Sequence, residues 1–503
     1  MASSTQRESL LAELARLTQR AQEGLAAQDG AGALAAAEAA LRLARSDPYA
    51  LILRGQALLL LGRAAAAAAD FTTVLRTQPA MTALHMLLGN ACRAQGLHAE
   101  AAEAYGTAVR LDPAMAGAWH NLGLTRIAQD RYADGARFLR RACALAPDAA
   151  ASWNSLGAAL FEDGADVAAL CAFGQAARVA PADVAEAVRA DWNRSMLLLA
   201  RGDVRRGWPL FERRPGGTRG PTPAPFGLPF ITGRPEPGMR VLVTVEQGLG
   251  DIVTVLRFIP LLAAQGVRIV MHRPAPLRRL LDGFAGVETF LEDGDPVPAV
   301  DGVLPCLSLP GLFIDDAGHV PGPMPYLSPD PELVAQWRPA LSGAVGLKVG
   351  FVWAGNPDYK RDRSRSPGLG PVLPLMRLPG ITPVILQKGG GRNDLDSHDL
   401  PGNAIDLAPG LGDLADTLAV LSQLDLLVSA CTMPVHLAGA AGVPVAILLS
   451  AVPDWRWGHL SGDSPWYPSA RLYRQARAGD WSDPVGRLGR DLSQRVAGMG
   501  VTV

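Results

Sequence analysis

The stretch from Val241 to Leu262, VLVTVEQGLGDIVTVLRFIPLL, decides the fold of the second half of the chain. Its β-branched run, Val241 to Val245, predicts a buried strand. The turn Glu246-Gln247-Gly248-Leu249-Gly250-Asp251 follows, with Gly248 and Gly250 placed where a backbone bends sharply or comes close to another group. From Ile252 onward the apolar residues Val255, Leu256, Ile259 and Leu262 recur at helical spacing. Strand, glycine turn and helix form the start of a βα unit, whose turn lies at the carboxyl edge of a sheet, where α/β proteins bind ligands. Asp251 has two readings here. It is an N-cap that complements the helix dipole, or a carboxylate held at the mouth of a cleft. The turn lacks the full GxGxxG pattern and so does not spell a dinucleotide site.

Downstream, strands and helices keep alternating. Val267–His272, Val287–Leu291 and Gly302–Pro305 read as strands, with a helix over Pro276–Asp282. The proline-rich segment 320–346 reads as a crossing, and a second series begins after it. Its strands are Lys348–Trp353, Pro383–Gln387, Ala404–Leu407, Asp425–Ser429 and Val445–Leu449. Helices are expected near Val372–Arg377 and over Leu411–Leu424 and Pro434–Ala441. A last helix, Pro484–Met499, is expected to cross back onto the first lobe. This alternation predicts two doubly wound parallel sheets, that is, two Rossmann-like lobes.

Three turns of the second series carry polar chemistry. Ser429-Ala430-Cys431-Thr432-Met433-Pro434-Val435-His436 leads from a strand into a helix, with Thr432 available as cap. Helix N–H groups there suit an anion. His436, one turn in, is either a second donor to that anion or a packing histidine bonded to backbone. The run from Gly355 through Asn356, Lys360, Arg361 and Arg363 to Arg365 follows the first strand. It is a solvated charge cluster or a set of cations. Gln387-Lys388-Gly389-Gly390-Gly391 is a flexible loop tip or a further cation. All three turns leave carboxyl strand ends of one sheet, so Arg361, Arg363 and Lys388 can converge on a phosphate at Thr432.

Upstream of Met239, residues 215–238 are rich in proline and glycine and exclude helix or central strand. They read as a linker, packed in part through Phe226 and Phe230. Before it one pattern returns at a fixed interval. Trp119, Leu122, Gly123, Gly135, Leu139, Ala142 and Pro147 return as Trp153, Leu156, Gly157, Ala169, Phe173, Ala176 and Pro181. One step back they are His85, Leu88, Gly89, Ala101, Tyr105, Ala108 and Pro113, and another step gives Leu51, Gly55, Ala67, Phe71, Val74 and Pro79. Small residues let paired helices approach, aromatics fill the space between them, and prolines end the second helix. The period, about 34 residues, and the pattern resemble the tetratricopeptide repeat. Residues 10–45 read as a divergent capping repeat, with Gly24, Ala36 and Pro48 offset by three. The helices around Trp192–Leu199 and Gly207–Arg213 read as a closing pair. Such an array is an α superhelix whose concave face takes a protein or peptide. The alternative is a spacer or dimerisation surface. His85, Asn90, His120, Asn121 and Asn154 fall on the first helices, which line the groove in this class.

At 503 residues the chain is long enough for three or four domains. Its net charge of −1 provides no global field for nucleic acid or an anionic membrane. No apolar run reaches the roughly 18 residues of a bilayer span, and the amino terminus shows no signal-peptide pattern. Five scattered cysteines without a CxxC pair or a zinc-spaced histidine suit a reducing, cytoplasmic setting. The boundaries expected are repeats over 1–214, a linker over 215–238, a first α/β lobe over 239–340 and a second over 341–503.

Several stretches together resemble one family: EQGLGD at 246–251, WAGNP at 353–357, the Lys360–Ser366 run, LQKG at 386–389, HLAGAAGVPV at 436–445, PDWRW at 453–457 and SPWYP at 464–468. They resemble glycosyltransferases of the heptosyltransferase type, in the bacterial branch that carries tetratricopeptide repeats ahead of the transferase. The resemblance implies a GT-B fold, inverting transfer, and no metal or other cofactor. A nucleotide-sugar would be the donor substrate, held mainly by the second lobe, with the acceptor entering from the first. Asp251 matches the family's proposed general base, Lys360 the phosphate-binding lysine, and Thr432 and His436 the donor turn. Gly248, Gly250, Asn356, Arg361, Arg363, Lys388 and Cys431 complete the expected donor set. Cys431 departs from the family, which usually has aspartate before that threonine, so a carboxylate expected against the donor is missing. Three functions follow: sugar transfer to a protein or glycan presented by the repeats, a non-catalytic repeat scaffold with a degenerate transferase domain, or a carbohydrate-binding or other α/β enzyme that uses no nucleotide.

Overall fold

The structure is a computed structural model that describes residues 4–180, 185–359, 361–458 and 462–498. It divides into two compact units, Met1–Ala190 and Asp191–Val503.

The first unit is a series of helix hairpins. Its first helices, Pro48–Leu60, Thr82–Ala94, Ala116–Ala128 and Ala150–Glu162, start at one constant interval, that of the sequence pattern. Each is followed by its partner: Ala64–Leu75, His98–Leu111, Tyr132–Leu145 and Asp166–Val179. Within each pair a glycine of the first helix meets a large side chain of the second. A Cβ on Gly55 would lie 2.4 Å from the Phe71 ring, on Gly89 2.5 Å from Tyr105, on Gly123 2.7 Å from Leu139, and on Gly157 2.5 Å from Phe173. The glycine is what lets the large side chain sit between the helices. In three of these first helices the residue near the head also recurs for a reason. His85 Nε2, Trp119 Nε1 and Trp153 Nε1 donate to the carbonyls of Pro79, Pro113 and Pro147 at 2.8, 2.9 and 2.8 Å. A third device keeps the same period. Gln28, Gly62, Gly96, Asp130 and Gly164 are all left-handed, with φ of 58°, 72°, 74°, 59° and 78°.

This in-register turn at Gln28 corrects the reading of the first hairpin, Ser4–Ala26 with Gly30–Leu43. No offset of three is present. Ala21, Ala33 and Ala37, all fully buried, occupy the places of Gly55, Ala67 and Phe71. Pro48 opens the next helix at its first position, where a missing N–H costs nothing, instead of closing the one before. Pro181 lies outside the described residues.

The second unit contains two wholly parallel sheets. The first has the order β3-β2-β1-β4, from Arg240–Thr244 (β1), Arg268–His272 (β2), Thr289–Leu291 (β3) and Gly302–Pro305 (β4). The second is built from Leu347–Val352 (β5), Ile381–Ile385 (β6), Ile405–Asp406 (β7), Leu426–Ala430 (β8), Val445–Leu449 (β9) and Ala470–Arg474 (β10). Its order is β10-β9-β8-β5-β6-β7. The expected α/β class with two Rossmann-like sheets is therefore present. β4, β6, β8 and β9 are buried along their whole length and read as near-continuous apolar runs, as strands covered on both faces do.

Four local expectations change. Residues 276–282 form two short 3-10 turns, Ala275–Leu277 and Arg279–Leu281, not one helix. β10 follows the SPWYP stretch and adds an edge strand that no apolar periodicity announced. The last helix, Ser482–Gly498, packs Val485, Leu488, Leu492 and Val496 onto the second sheet's own core with Val349, Leu448 and Tyr473, not onto the first lobe. In the proline-rich segment Phe226 is 61% exposed, whereas Phe230 pairs with Val303 and Ile231 N donates to the Val303 carbonyl at 2.8 Å. That segment thus extends the β4 edge.

The helix Ala185–Ala200 contains the division between the units. Leu199, Val204, Trp208 and Phe211 belong to the core of the second unit, where the rings of Trp208 and Trp455 meet edge-on at 5.4 Å. Residues 191–211 thus pack on the α/β half, although their pattern reads as a continuation of the repeats.

Candidate functional site

The site forms where the turn after β1 meets the loops after β8 and β9. Gln247 takes φ +60°, a conformation that L residues rarely hold. The turn is anchored by an ion pair whose arginine is fully buried. Arg214, fully buried, donates from Nε to Glu246 Oε2 at 3.1 Å and from Nη2 to Glu246 Oε1. Nη2 also reaches Ser308 Oγ at 3.2 Å, and Leu307 N donates to Glu246 at 3.2 Å. Burial pushes the Glu246 carboxyl up, against the pull of Arg214. The same arginine's cation lies 4.4 Å from the centre of the Phe211 ring.

Asp251 is not the N-cap. Gly248 holds that place, and Asp251, three residues on, accepts the Gly248 N–H through Oδ2 at 3.0 Å. This is the returning half of a capping box, whose other half a glycine side chain cannot supply. Asp251 Oδ1 is ion-paired with Nη2 of Arg456. Both carboxylate oxygens therefore carry a bond, one from its own turn and one from the other lobe.

Arg456 lies in the short turn Trp455–Trp457 after β9 and is 5% exposed. Its Nη1 donates to Asp454 Oδ1 at 2.9 Å, and its guanidinium stands 4.6 Å from the centre of the Trp455 ring. Among the described residues its Nε has no partner. Burial disfavours the charge, yet Asp454 and Asp251 outweigh burial and hold the group above the ordinary arginine range.

Gly250 lies directly against the second lobe. A Cβ there would lie 2.8 Å from Cδ2 of His436, so only glycine fits. His436 Nδ1 lies 2.9 Å from Thr254 Oγ1 and 3.1 Å from Tyr467 Oη, and its ring stacks on Trp457 at 5.6 Å. Burial, then the cation of Arg456, push its pKa down to about 3, with Asp454 opposing. His436 is therefore a neutral, buried residue at the lobe contact.

The turn from Ser429 to Thr432 is arranged around carbonyls and sulfur. Cys431 Sγ accepts the Trp457 Nε1 hydrogen at 3.0 Å, and burial pushes its thiol up to about 11. Thr432 occupies the N-cap position of helix Met433–Ala440, but its hydroxyl meets Ser429 Oγ at 3.1 Å and does not cap the helix. Arg365 Nη1 donates to the Cys431 carbonyl at 3.1 Å and Arg361 Nη2 to the Val452 carbonyl at 2.8 Å. Buried Asp362 steadies Arg365 at 2.9 Å, and the Arg365 cation stands over Tyr359 at 4.5 Å. Lys360 lies outside the described residues.

Other candidates are spread more widely. Arg363 and Asn356 are exposed, and Asn356 Oδ1 accepts the Asp358 N–H at 3.1 Å within its own loop. Gly389–Asp396 is a 3-10 helix, not a flexible tip. Lys388 donates to the Leu411 carbonyl, which draws it toward the β7 side of the sheet and away from Thr432. Its neighbour Gln387, 1% exposed, clamps the end of β5 by accepting the Trp353 and Ala354 N–H groups, each at 2.8 Å. Sequence reasoning passed over Arg456, Asp454, Trp457, Thr254 and Tyr467. The PDWRW and SPWYP stretches hold four of them, but a charged residue between tryptophans carries no periodic signal of burial.

In the repeats, the groove candidates tie neighbouring helices together. Asn90 Oδ1 accepts from Tyr105 Oη at 2.7 Å and from Asn121 Nδ2 at 3.2 Å, while His120 Nδ1 meets Ser152 Oγ at 3.0 Å. Asn154 is buried. No helix among the described residues is long and apolar enough to cross a membrane.

The chain is 28% identical over 370 residues to protein FlbA of Caulobacter vibrioides, covering 66% of this chain and 59% of that protein. Similar solved structures include Pseudomonas aeruginosa pilF, at 14% identity over 40% of this chain and 90% of that one, with a TM-score of 0.36. A thermophilic tetratricopeptide protein of Thermus thermophilus aligns at 22% identity over 36% and 98%, with a TM-score of 0.31. The model described as TPR repeat matches residues 89–130, and the one described as tetratricopeptide repeat matches 18–82 and 120–185. With the helix hairpins and their recurring devices, these two family models identify residues 18–82 and 89–185 as tetratricopeptide repeats, a class of protein-interaction scaffold.

Proposed function

We propose that the α/β half is a glycosyltransferase that moves a sugar from a nucleotide-sugar donor to a protein or glycan brought by the repeats. The observation that supports this reading is the meeting of Asp251 and Gly250, from the first lobe, with Arg456 and His436, from the second. These residues come from three of the stretches that resemble the heptosyltransferase type, and they meet at the carboxyl edge of parallel sheets, where α/β folds bind ligands. In the reaction, the acceptor oxygen attacks the anomeric carbon while the bond from that carbon to the diphosphate oxygen breaks. The acceptor proton goes to Asp251. Charge on the departing diphosphate is met by cations of the second lobe.

A second reading is a repeat scaffold whose α/β half no longer turns over. It draws on Cys431, which bonds Trp457 where the resembling family carries a carboxylate, and on the two bonds already made by Asp251.

The test is a thermal-shift screen of the full chain against nucleoside diphosphates and nucleotide-sugars, followed by transfer assays with wild type and Asp251→Asn. A ligand at 100 times its Kd adds about 2.7 kcal/mol of stability. Asparagine retains the acceptor for Gly248 N–H but takes no proton, so transfer should drop at least about a hundredfold, the low end for a general base. Equal transfer by the variant removes Asp251 from the mechanism. Donor binding without any turnover by wild type favours the scaffold.

A further inference from the structure

Arg456 is an uncommon object: a guanidinium 5% exposed, shared between carboxylates of two lobes, with its Nε left without a partner among the described residues. The carboxylates it holds are more open. The side chains of Asp251 and Asp454 are 24% and 29% exposed, so the ion-pair cluster reaches solvent on their side. A buried donor without an acceptor is costly, and a planar five-donor fork suits bidentate contact with phosphate oxygens. Arg365 adds a second cation at the adjoining Cys431 carbonyl.

We infer that Arg456 is an exchangeable cation. It pairs with Asp251 in the unliganded chain and passes to the diphosphate of the donor when that binds, which frees Asp251 Oδ1 to accept a proton. The inference rests on the transferase reading for the role of Asp251, and it adds an order of events, with donor binding before the base is available. Asp454 stays on Nη1 and keeps the guanidinium oriented. The Oδ2 bond from Gly248 N–H keeps Asp251 in place after the exchange.

Exchange makes Asp251 a competitor of the diphosphate for one guanidinium, and competition has a signature that a structural ion pair lacks. Inorganic pyrophosphate, which carries the shared chemistry without a base or sugar, is the probe, titrated into the full chain by calorimetry. Removing the competitor in Asp251→Asn should tighten pyrophosphate binding by about fivefold, the measure of a partly exposed ion pair. Arg456→Gln should weaken it by about tenfold or more, the value of one charge-assisted contact. Carbodiimide labelling of Asp251, read by mass spectrometry, should rise when pyrophosphate is added. If Arg456→Gln fails to fold, the Asp251→Asn titration and the labelling decide alone. Unchanged or weaker binding by Asp251→Asn, wild-type affinity in Arg456→Gln, labelling that does not respond, or no binding by wild type each overturns the exchange. A chain that transfers sugar without these responses loses the exchange and keeps the transferase reading. One that shows them and transfers nothing loses the transferase reading alone.

Discussion

His436 stays neutral because the lobe contact leaves its ring little solvent and places two arginines in its field. Held at a pKa of about 3 against an ordinary value near 6.5, it makes stability depend on pH in a definite direction. Below about pH 6.5 the unfolded chain takes up a proton that the folded chain refuses, so this part of the stability is complete above that pH. It is lost as the pH falls toward 3, with a limiting slope of about 1.4 kcal/mol per pH unit. His436→Asn keeps an amide nitrogen or oxygen near Thr254 and does not titrate. The stability gap between wild type and variant, from urea unfolding at several values between pH 7 and 4.5, should shrink on acidification. A gap independent of pH would mean that His436 is solvated and ordinary. Of the residues singled out in the sequence, Gly250, Asp251 and His436 were legible because each stands in a turn after a strand or early in the helix that follows. Arg456 was not, because the burial of a cation depends on what packs over it.

Among the elements, the hairpins of the repeats show which glycines matter and why. Gly157 faces the Phe173 ring at a distance no Cβ tolerates, while Gly174, in the middle of helix Asp166–Val179, has nothing within 4 Å of its place for a Cβ. Gly157→Ala must displace a fully enclosed ring and should cost about 1–3 kcal/mol, as overpacking does. Gly174→Ala meets no obstacle, and it should raise stability by up to about 1 kcal/mol through helix propensity. Chemical denaturation followed by helical circular dichroism measures both. Opposite signs are expected, and a destabilising Gly174→Ala would contradict the packing. The strands were equally legible, since β1, β2, β4, β8 and β9 lie within a residue of their apolar runs. The break at 276–282 was not, because apolar spacing alone does not tell two 3-10 turns from one short helix.

At the scale of the whole chain, residues 191–214 belong physically to the α/β half. Trp208 and Phe211 pack against Trp455 at 5.4 and 6.1 Å, and the fully buried Arg214 pairs with the half-buried Glu246. A chain begun at Met239 would strip both. Orphaning one partner of a buried pair alone costs about 3–5 kcal/mol. With about 2–4 °C per kcal/mol, residues 239–503 should melt at least about 10 °C below residues 185–503, or fail to stay in solution. Equal melting by calorimetry would place the helices over 191–211 outside the α/β core.

The sequence by itself determined everything with a local period: the recurring helix hairpin, the glycine opposite a large side chain of its partner helix, the parallel strands, and the turns that carry Asp251 and Thr432. A period is written into neighbouring residues by the geometry of helix and strand, so it survives reading in one dimension. Only the tertiary structure decided where the non-periodic residues went. It paired Asp251 with Arg456 across 205 positions, turned Lys388 toward Leu411, and moved the supposed closing pair onto Trp455. It also set the last helix on the second sheet. Those contacts are chosen by which surfaces remain apolar or charged once the elements have formed, and no spacing within a single stretch records that choice.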